Sequence, residues 1–148
     1  MKHLFFARHG AYDPIDGRLI GAGHEQMERL AGEIKKILNG GSCKLASSTA
    51  PRAFDSALTL AKGLGLPGEF ESAPYLWSGR GHGPDSYDYN PRRLKMFIDE
   101  RGRKDGLILV THLEVIRDVH ELFKLPYAEV GKGSALYIDQ VTKAHRIV

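Results

Sequence analysis

Residues 1–13 read MKHLFFARHGAYD, and in this stretch an apolar run, Leu4–Ala7, leads directly into Arg8, His9 and Gly10. An apolar run without polar alternation is typical of a strand that is buried on both faces, as in a parallel sheet. A cation, an imidazole and a glycine directly after such a strand are poorly suited to a core. They are well suited to the edge of a sheet where ligands bind. We therefore predict that this strand holds His9 rigidly at such an edge.

Helical and strand patterns alternate along the rest of the chain. Apolar residues recur at three- and four-residue spacing in residues 27–38, which predicts an amphipathic helix, and the aliphatic run at residues 107–111 predicts a second buried strand. We predict strands at residues 2–7, 43–47, 69–71, 107–111, 134–139 and 144–148, and helices at residues 27–38, 51–63, 94–102 and 113–124. The second helix is predicted to bury Phe54, Ala57, Leu58 and Ala61. This alternation is typical of an α/β fold, here a three-layer α/β/α sandwich with a mostly parallel central sheet.

Length and composition indicate one domain that spans residues 1–148. Hydrophobic residues make up 42% and charged residues 26% of the chain, and no apolar stretch approaches the length of a membrane span. The first apolar run is too short for a signal peptide, and the single cysteine cannot form an internal disulfide, so we expect a cytoplasmic protein. The net charge of +3 is scattered, so we expect neither a nucleic-acid nor a membrane partner, and the oligomeric state stays open.

Residues 74–91 interrupt the alternation, because Gly, Pro, Tyr and Asp dominate there and neither period is present. We predict that this segment forms a flap. His82 and Asp85 lie in it, and both are candidates for substrate contact, with Asp85 also a candidate proton donor. The open alternative is that both are solvated loop residues.

Polar side chains follow three of the predicted parallel strands. Arg8 and His9 follow the first strand, Arg52 lies just after the second, and His112 ends the aliphatic strand. Because the carboxyl ends of parallel strands meet at one edge of a sheet, we expect these four side chains to converge there. Gly10 would let a ligand approach the backbone closely.

Two guanidinium groups, two imidazoles and the N-termini of the following helices together form a receptor for a phosphoryl group. Neutral histidine is a good nucleophile toward phosphorus, and arginines neutralise the charge that phosphoryl transfer carries. His9 is therefore the candidate nucleophile. Structural alternatives stay open for Arg52, which could instead pair with Asp55 or Ser56 on the same helix, and for His112, which could be a hydrogen-bonded histidine in a strand-to-helix turn.

Four stretches resemble, in order, motifs of the histidine phosphatase superfamily, also called phosphoglycerate mutase-like. LFFARHG resembles its Arg-His-Gly signature, GAGHEQMERLAGEI its first helix, SSTAPRAFDSA its second block and LILVTHLEVIRD its third block. The resemblance implies the phosphoglycerate mutase-like fold and a phosphorylated nucleophile at His9. It also implies a phosphate clamp formed by Arg8 and Arg52, and a role for His112 in stabilising the transferring group. It implies no metal and no organic cofactor.

The sequence departs from the larger members of that family in three places. AYDPIDG has no Asn after the nucleophile, and APYLWSGRGHG has no carboxylate where the family's proton donor is expected. Leu113 stands where a Gly often follows the second histidine, and it is a further candidate for substrate contact. These departures and the short chain resemble the small phosphohistidine phosphatases. Chemistry agrees, because an imidazole leaving from phosphorus needs less help from an acid than an alkoxide does.

The sequence therefore predicts a phosphatase that acts on a phosphoprotein or a small phosphate ester through a phosphohistidine on His9. Two alternatives stay open. One is a small-molecule phosphomonoesterase that uses a flap carboxylate as its acid. The other is a catalytically weak phosphate-binding module with a regulatory role.

Overall fold

The computed structural model describes residues 1–77 and 91–148, apart from the side chain of Pro91. Strands and helices alternate along these residues, as the sequence predicts. The strands are β1 (His3–Arg8), β2 (Cys43–Ser47), β3 (Glu71–Ser72), β4 (Gly106–Thr111), β5 (Ala135–Asp139) and β6 (His145–Ile147). The helices are α1 (Gly21–Leu38), α2 (Pro51–Leu64), α3 (Pro91–Glu100) and α4 (Leu113–Leu122), and a 3-10 turn lies at Pro74–Leu76.

The six strands form one mixed sheet in the order β3-β2-β4-β1-β5-β6. The four strands β3, β2, β4 and β1 are parallel, whereas β5 and β6 form an antiparallel hairpin next to β1. In the register between β1 and β4, Arg8 is the partner of Thr111, and Ser47 at the end of β2 is the partner of Val110. The residues that follow these three strands are thereby brought to one point at the edge of the sheet.

Helices cover both faces of the sheet, which confirms the predicted three-layer α/β/α sandwich. Successive residues of β1 point to opposite faces, so Phe5 and Ala7 pack with α1 and α2, while Leu4 and Phe6 pack with α3 and α4. All four side chains are fully buried. The two-sided burial explains why the run is apolar at every position, and it makes β1 a rigid support for the residues that follow. No helix in the described part of the chain is long and apolar enough to cross a membrane.

The predicted buried face of α2 was wrong in two of its four residues. Phe54 is 40% exposed and Leu58 is 38% exposed, whereas Ala57 and Ala61 are buried as expected. The helix instead buries a row of small residues against α1, and a side chain at Gly63 would lie only 2.7 Å from the Cβ of Ala31. Close approach of two helices selects small residues for the interface and leaves larger ones at its margin.

Candidate active site

The two predicted histidines lie side by side at the carboxyl ends of β1 and β4. Their ring centroids are 5.2 Å apart, and His9 is 5% and His112 2% exposed. The register of the sheet causes this, because each histidine directly follows one residue of the pair Arg8 and Thr111. Both imidazoles are thus held by buried parallel strands, which leave little freedom for either ring to move away.

His9 is neutral, and its Nε2 atom carries the free lone pair. Its Nδ1 atom lies 2.9 Å from the carbonyl oxygen of Gly10, and a carbonyl can only accept, so Nδ1 holds the proton. Burial lowers the pKa of His9 to about 4, and the positive charges of Arg52, Arg8 and Lys132 add to the effect. At neutral pH the imidazole is therefore ready to act as a nucleophile.

His112 is also neutral at physiological pH. Its pKa is lowered to about 2, first by burial and then by the positive charges of protonated His9, Arg52 and Arg8. Its Nε2 atom lies 2.7 Å from the hydroxyl oxygen of Ser48, and the indole of Trp77 stacks on the ring at a centroid distance of 5.8 Å. A ring with this pKa acts as a hydrogen-bond donor rather than as a proton donor to a leaving group.

Arg8 and Arg52 lie close enough to both histidines to depress the pKa of each imidazole. Arg8 donates from Nη1 to the carbonyl oxygen of Val130 at 3.1 Å. The Nε atoms of both arginines are buried and have no hydrogen-bond partner within the described residues. Buried N–H groups without an acceptor are rare in proteins, so they mark a place where a ligand is expected.

Arg52 is held by aromatic rings instead of a carboxylate. Its guanidinium carbon lies 4.8 Å from the ring centroid of Tyr12 and 5.8 Å from that of Trp77. Asp55, the ion-pair partner considered from the sequence, binds Arg18 at 2.7 Å. The positive charge of Arg52 is therefore not cancelled by a neighbouring carboxylate in the described part of the chain.

Gly10 allows helix α1 to pack closely against the residues that follow β1. A side chain at Gly10 would lie 2.6 Å from the carbonyl oxygen of Gly23, so only glycine lets α1 approach here. The amide of Gly10 donates to the hydroxyl of Ser56, which in turn donates to the carbonyl oxygen of Arg52. The close approach of a ligand to Gly10 stays a prediction. So does the substrate contact of Leu113, which is half-buried as the first residue of α4.

The structure adds side chains that sequence reasoning missed at this site. Tyr12 lies with its ring centroid 5.2 Å from that of His9, and the Nζ atom of Lys132 lies 5.3 Å from the centroid of the same tyrosine. The amide of Gly133 donates to the carbonyl oxygens of Arg8 and His9, which ties the Lys132 loop to the nucleophile's backbone. The sequence could not indicate that Lys132 lies near His9. It is a lone lysine between two glycines, and more than 120 residues of chain separate it from His9.

The remaining candidates fall outside what the structure describes. His82 and Asp85, and with them most of the predicted flap at residues 74–91, lie outside the described residues. Within residues 1–77 and 91–148, no group of three or more histidine, cysteine or carboxylate side chains is arranged to hold a metal ion.

Acidification is expected to reduce the free energy of unfolding through His9. The unfolded chain protonates this histidine near pH 6.5, whereas the folded protein does so only at about pH 4. Between these values the unfolded state binds more protons, so stability falls as the pH falls from 7 toward 4. His112 acts in the same direction over a wider range, because its folded-state pKa is about 2. Urea denaturation between pH 7 and pH 4.5 measures this loss.

The matched variant for this measurement is His9→Gln, which cannot titrate. Its stability should fall less steeply over the same interval than that of the unchanged protein. Parallel curves for the two proteins would show that His9 does not carry the pH dependence.

Comparison with known proteins rests on structure alone, because no protein-family model and no curated protein matches the sequence. A structure described as mycobacterial hydrolase 1 is 17% identical with a TM-score of 0.70, and the match covers 99% of this chain and 95% of that one. The protein histidine phosphatase SixA, in complex with tungstate, is 18% identical with a TM-score of 0.69, and the match covers 99% and 94%. A mycobacterial glucosyl-3-phosphoglycerate phosphatase, in complex with VO3, is 18% identical with a TM-score of 0.68, and the match covers 100% and 98%. Together with the sheet order and the two helical layers, these matches show that the chain has the same fold as these three proteins, two of which are described as phosphatases.

Proposed function

We propose that this protein is a phosphatase that hydrolyses a phosphoryl group through a phosphohistidine intermediate on His9. One observation carries the proposal. A neutral imidazole with a free Nε2 atom lies within the field of two arginines, Arg8 and Arg52, whose buried Nε–H groups have no partner in the described chain. A dianionic phosphoryl group supplies the acceptors that these donors lack, and it lies within reach of the nucleophile.

In the first step, the lone pair on Nε2 of His9 attacks phosphorus. The N–P bond forms while the bond from phosphorus to the leaving group breaks, and the leaving group takes the electron pair of that bond and a proton from solvent water. The proton on Nδ1 stays in its hydrogen bond to Gly10, so the imidazole gains phosphorus without losing its orientation. Arg8, Arg52 and His112 bind the oxygens of the transferring group and stabilise their charge.

In the second step, water attacks the phosphorus of the phosphohistidine. The P–N bond breaks, its electron pair returns to Nε2, and inorganic phosphate leaves. The depressed pKa of His9 favours this step as well as the first, because the imidazole is regenerated in its neutral form. The same cations serve both transition states, since the charge on the equatorial oxygens is similar in each.

The structural neighbours support an oxyanion site of this kind. Tungstate and VO3 are oxyanions whose oxygens accept hydrogen bonds as the oxygens of phosphate do, and they are bound in the SixA and the glucosyl-3-phosphoglycerate phosphatase structures, respectively. This chain shares their fold at 18% identity, so the analogy supports the reaction class more than any one substrate.

We further propose that residues 1–148 act as one domain in the cytoplasm, with residues 74–91 as its flap.

We propose phosphohistidine in a protein as the substrate. In the described residues, the charged side chains that lower the pKa of His9 are the cations Arg52, Arg8 and Lys132, and no carboxylate there is hydrogen-bonded to either imidazole. An imidazole leaving group tolerates this lack better than an alkoxide does. A phosphate ester becomes the better candidate if Asp85 supplies the acid, and this second function is separable by experiment.

The test is a panel of substrates offered to the unchanged protein and to Asp85→Asn. A phosphohistidine protein and an activated aryl phosphate are expected to turn over in both, whereas a sugar phosphate turns over slowly. Turnover of the sugar phosphate that exceeds turnover of phosphohistidine, and that is lost in Asp85→Asn, would favour the esterase instead. Tight vanadate binding without turnover of any substrate would favour the phosphate-binding module.

A further inference from the structure

We propose that Ser48 is a positioning residue, whose hydroxyl donates a hydrogen bond to Nε2 of His112 and holds this imidazole in the tautomer with its proton on Nδ1. The proposal rests on the proposed function only for its effect on rate. The tautomer itself is a property of the protein without substrate. Nothing in the motif resemblance assigns a role to this serine.

The contact between the two side chains is short and fully enclosed. The Oγ atom of Ser48 lies 2.7 Å from Nε2 of His112, and the exposed fractions of these two residues are 0% and 2%. The amide of Ser48 donates to the carbonyl oxygen of Val110 in β4, so the serine is fixed to the strand that carries the histidine. Water does not compete for a contact that is buried in this way, and its geometry is set by the sheet.

The direction of the hydrogen bond between Ser48 and His112 follows from the other contacts of the serine hydroxyl. The amide of Ala50 donates to Oγ of Ser48 at 3.3 Å, which uses one acceptor position. Within the described residues the only acceptor in reach of the hydroxyl proton is Nε2 of His112. If Nε2 carried the ring proton instead, the serine would keep a buried O–H group without an acceptor, which is unfavourable.

The tautomer determines whether the other ring nitrogen of His112, Nδ1, carries a proton. No side chain or backbone group in the described chain is hydrogen-bonded to Nδ1 of His112, and its ring lies 5.2 Å from that of His9. With the proton on Nδ1, this atom would be able to donate to an oxygen of a phosphoryl group bound beside His9. With the proton on Nε2, the lone pair of Nδ1 would face the same oxygen and repel it. Ser48 thus determines whether a neutral histidine stabilises or opposes the transition state.

Nitrogen-15 NMR of histidine-labelled protein tests the tautomer directly, because protonated and unprotonated ring nitrogens resonate far apart. The His112 signals are identified by their loss in His112→Gln. We expect Nδ1 to be protonated in the unchanged protein and in Ser48→Thr, which keeps the hydroxyl. Ser48→Ala should shift the ring toward the tautomer with its proton on Nε2.

The chain offers a matched control in Ser47, which is the same residue type, is also 0% exposed, and donates to the carbonyl oxygen of Ser48 rather than to a histidine. Ser47→Ala should leave the His112 tautomer unchanged. For an aryl phosphate, Ser48→Ala should lower kcat about tenfold to a hundredfold with a smaller change in KM, as the loss of a partner that fixes a histidine tautomer does elsewhere.

Two results would overturn the proposal. One is an unchanged protein whose His112 carries its proton on Nε2, a measurement that needs no variant to fold. The other is a Ser48→Ala protein whose His112 tautomer and turnover rate are the same as those of Ser47→Ala. If no substrate turns over in any protein, the proposed function fails, while the NMR measurement still decides the role of Ser48.

Discussion

Replacing His9 with alanine is expected to lower kcat/KM for an aryl phosphate by about 10³-fold or more. The variant lacks the proposed nucleophile, whose free lone pair on Nε2 is oriented by the hydrogen bond from Nδ1 to the carbonyl oxygen of Gly10. Without an N–P bond the reaction must proceed by direct attack of water, which the remaining cations assist only in part. Release of the phenol measures the rate, and acid-labile, alkali-stable phosphate on the protein reports the intermediate.

His145→Ala is a suitable control, because it removes an exposed imidazole from β6. Its rate and its phosphoenzyme should match those of the unchanged protein. A His9→Ala protein that is folded and still forms an acid-labile phosphoenzyme would place the nucleophile on another histidine and would refute the mechanism.

Replacing Arg52 with methionine is expected to have two opposite effects. Turnover should fall by about 10²-fold or more and binding of vanadate should weaken, because the variant loses one of the two guanidinium groups that we propose bind the oxygens. The protein without ligand should become more stable, by about 1 kcal/mol, since the change removes a buried Nε–H that has no acceptor among the described residues. Thermal unfolding with and without vanadate measures both effects, because the anion should raise the melting temperature less in the variant.

Arg18→Met is the matched control, because Arg18 has a carboxylate partner, whereas Arg52 has none within residues 1–77 and 91–148. Arg18 binds Asp55 at 2.7 Å, and the carboxylate also accepts from the amide of Leu19. The loss of Arg18 should lower stability and leave vanadate binding unchanged. An Arg52→Met protein that is less stable than the unchanged protein, with vanadate binding intact, would mean that the arginine has a structural role.

Much of the fold could be predicted from the sequence, because its signals are local. The apolar run Leu4–Ala7 requires burial on both faces, and the aliphatic run in β4 requires the same. Two such strands alternating with amphipathic helices leave few arrangements other than a parallel sheet between two helical layers. The buried face of α2 escaped prediction, because helix periodicity marks a stripe without specifying how close the neighbouring helix lies. The separation from α1 selects Ala57 over Leu58 for the interface.

Some residues of the candidate site could be predicted from the sequence, and others could not. His9, Arg52 and His112 were predictable, because each directly follows a strand or begins a helix and their order matches a known set of motifs. Ser48 lies within one of those motifs, but nothing in the sequence indicates that it contacts His112, and Lys132 is far from the motifs along the chain.

The sequence alone established the α/β alternation and the residues at the strand ends. Both can be predicted from short stretches of chain, because the spacing of apolar residues indicates helices and strands and the polar residues directly follow the strands. Tertiary structure alone decided which imidazoles have lowered pKa values, which atoms their ring nitrogens meet and which donors lack acceptors among the described residues. Those properties depend on distances between residues from separate elements, such as the 2.7 Å between Ser48 and His112 and the 5.2 Å between the two imidazoles. Desolvation and the fields of neighbouring charges act through space, so they exist only once the sheet has brought those residues together.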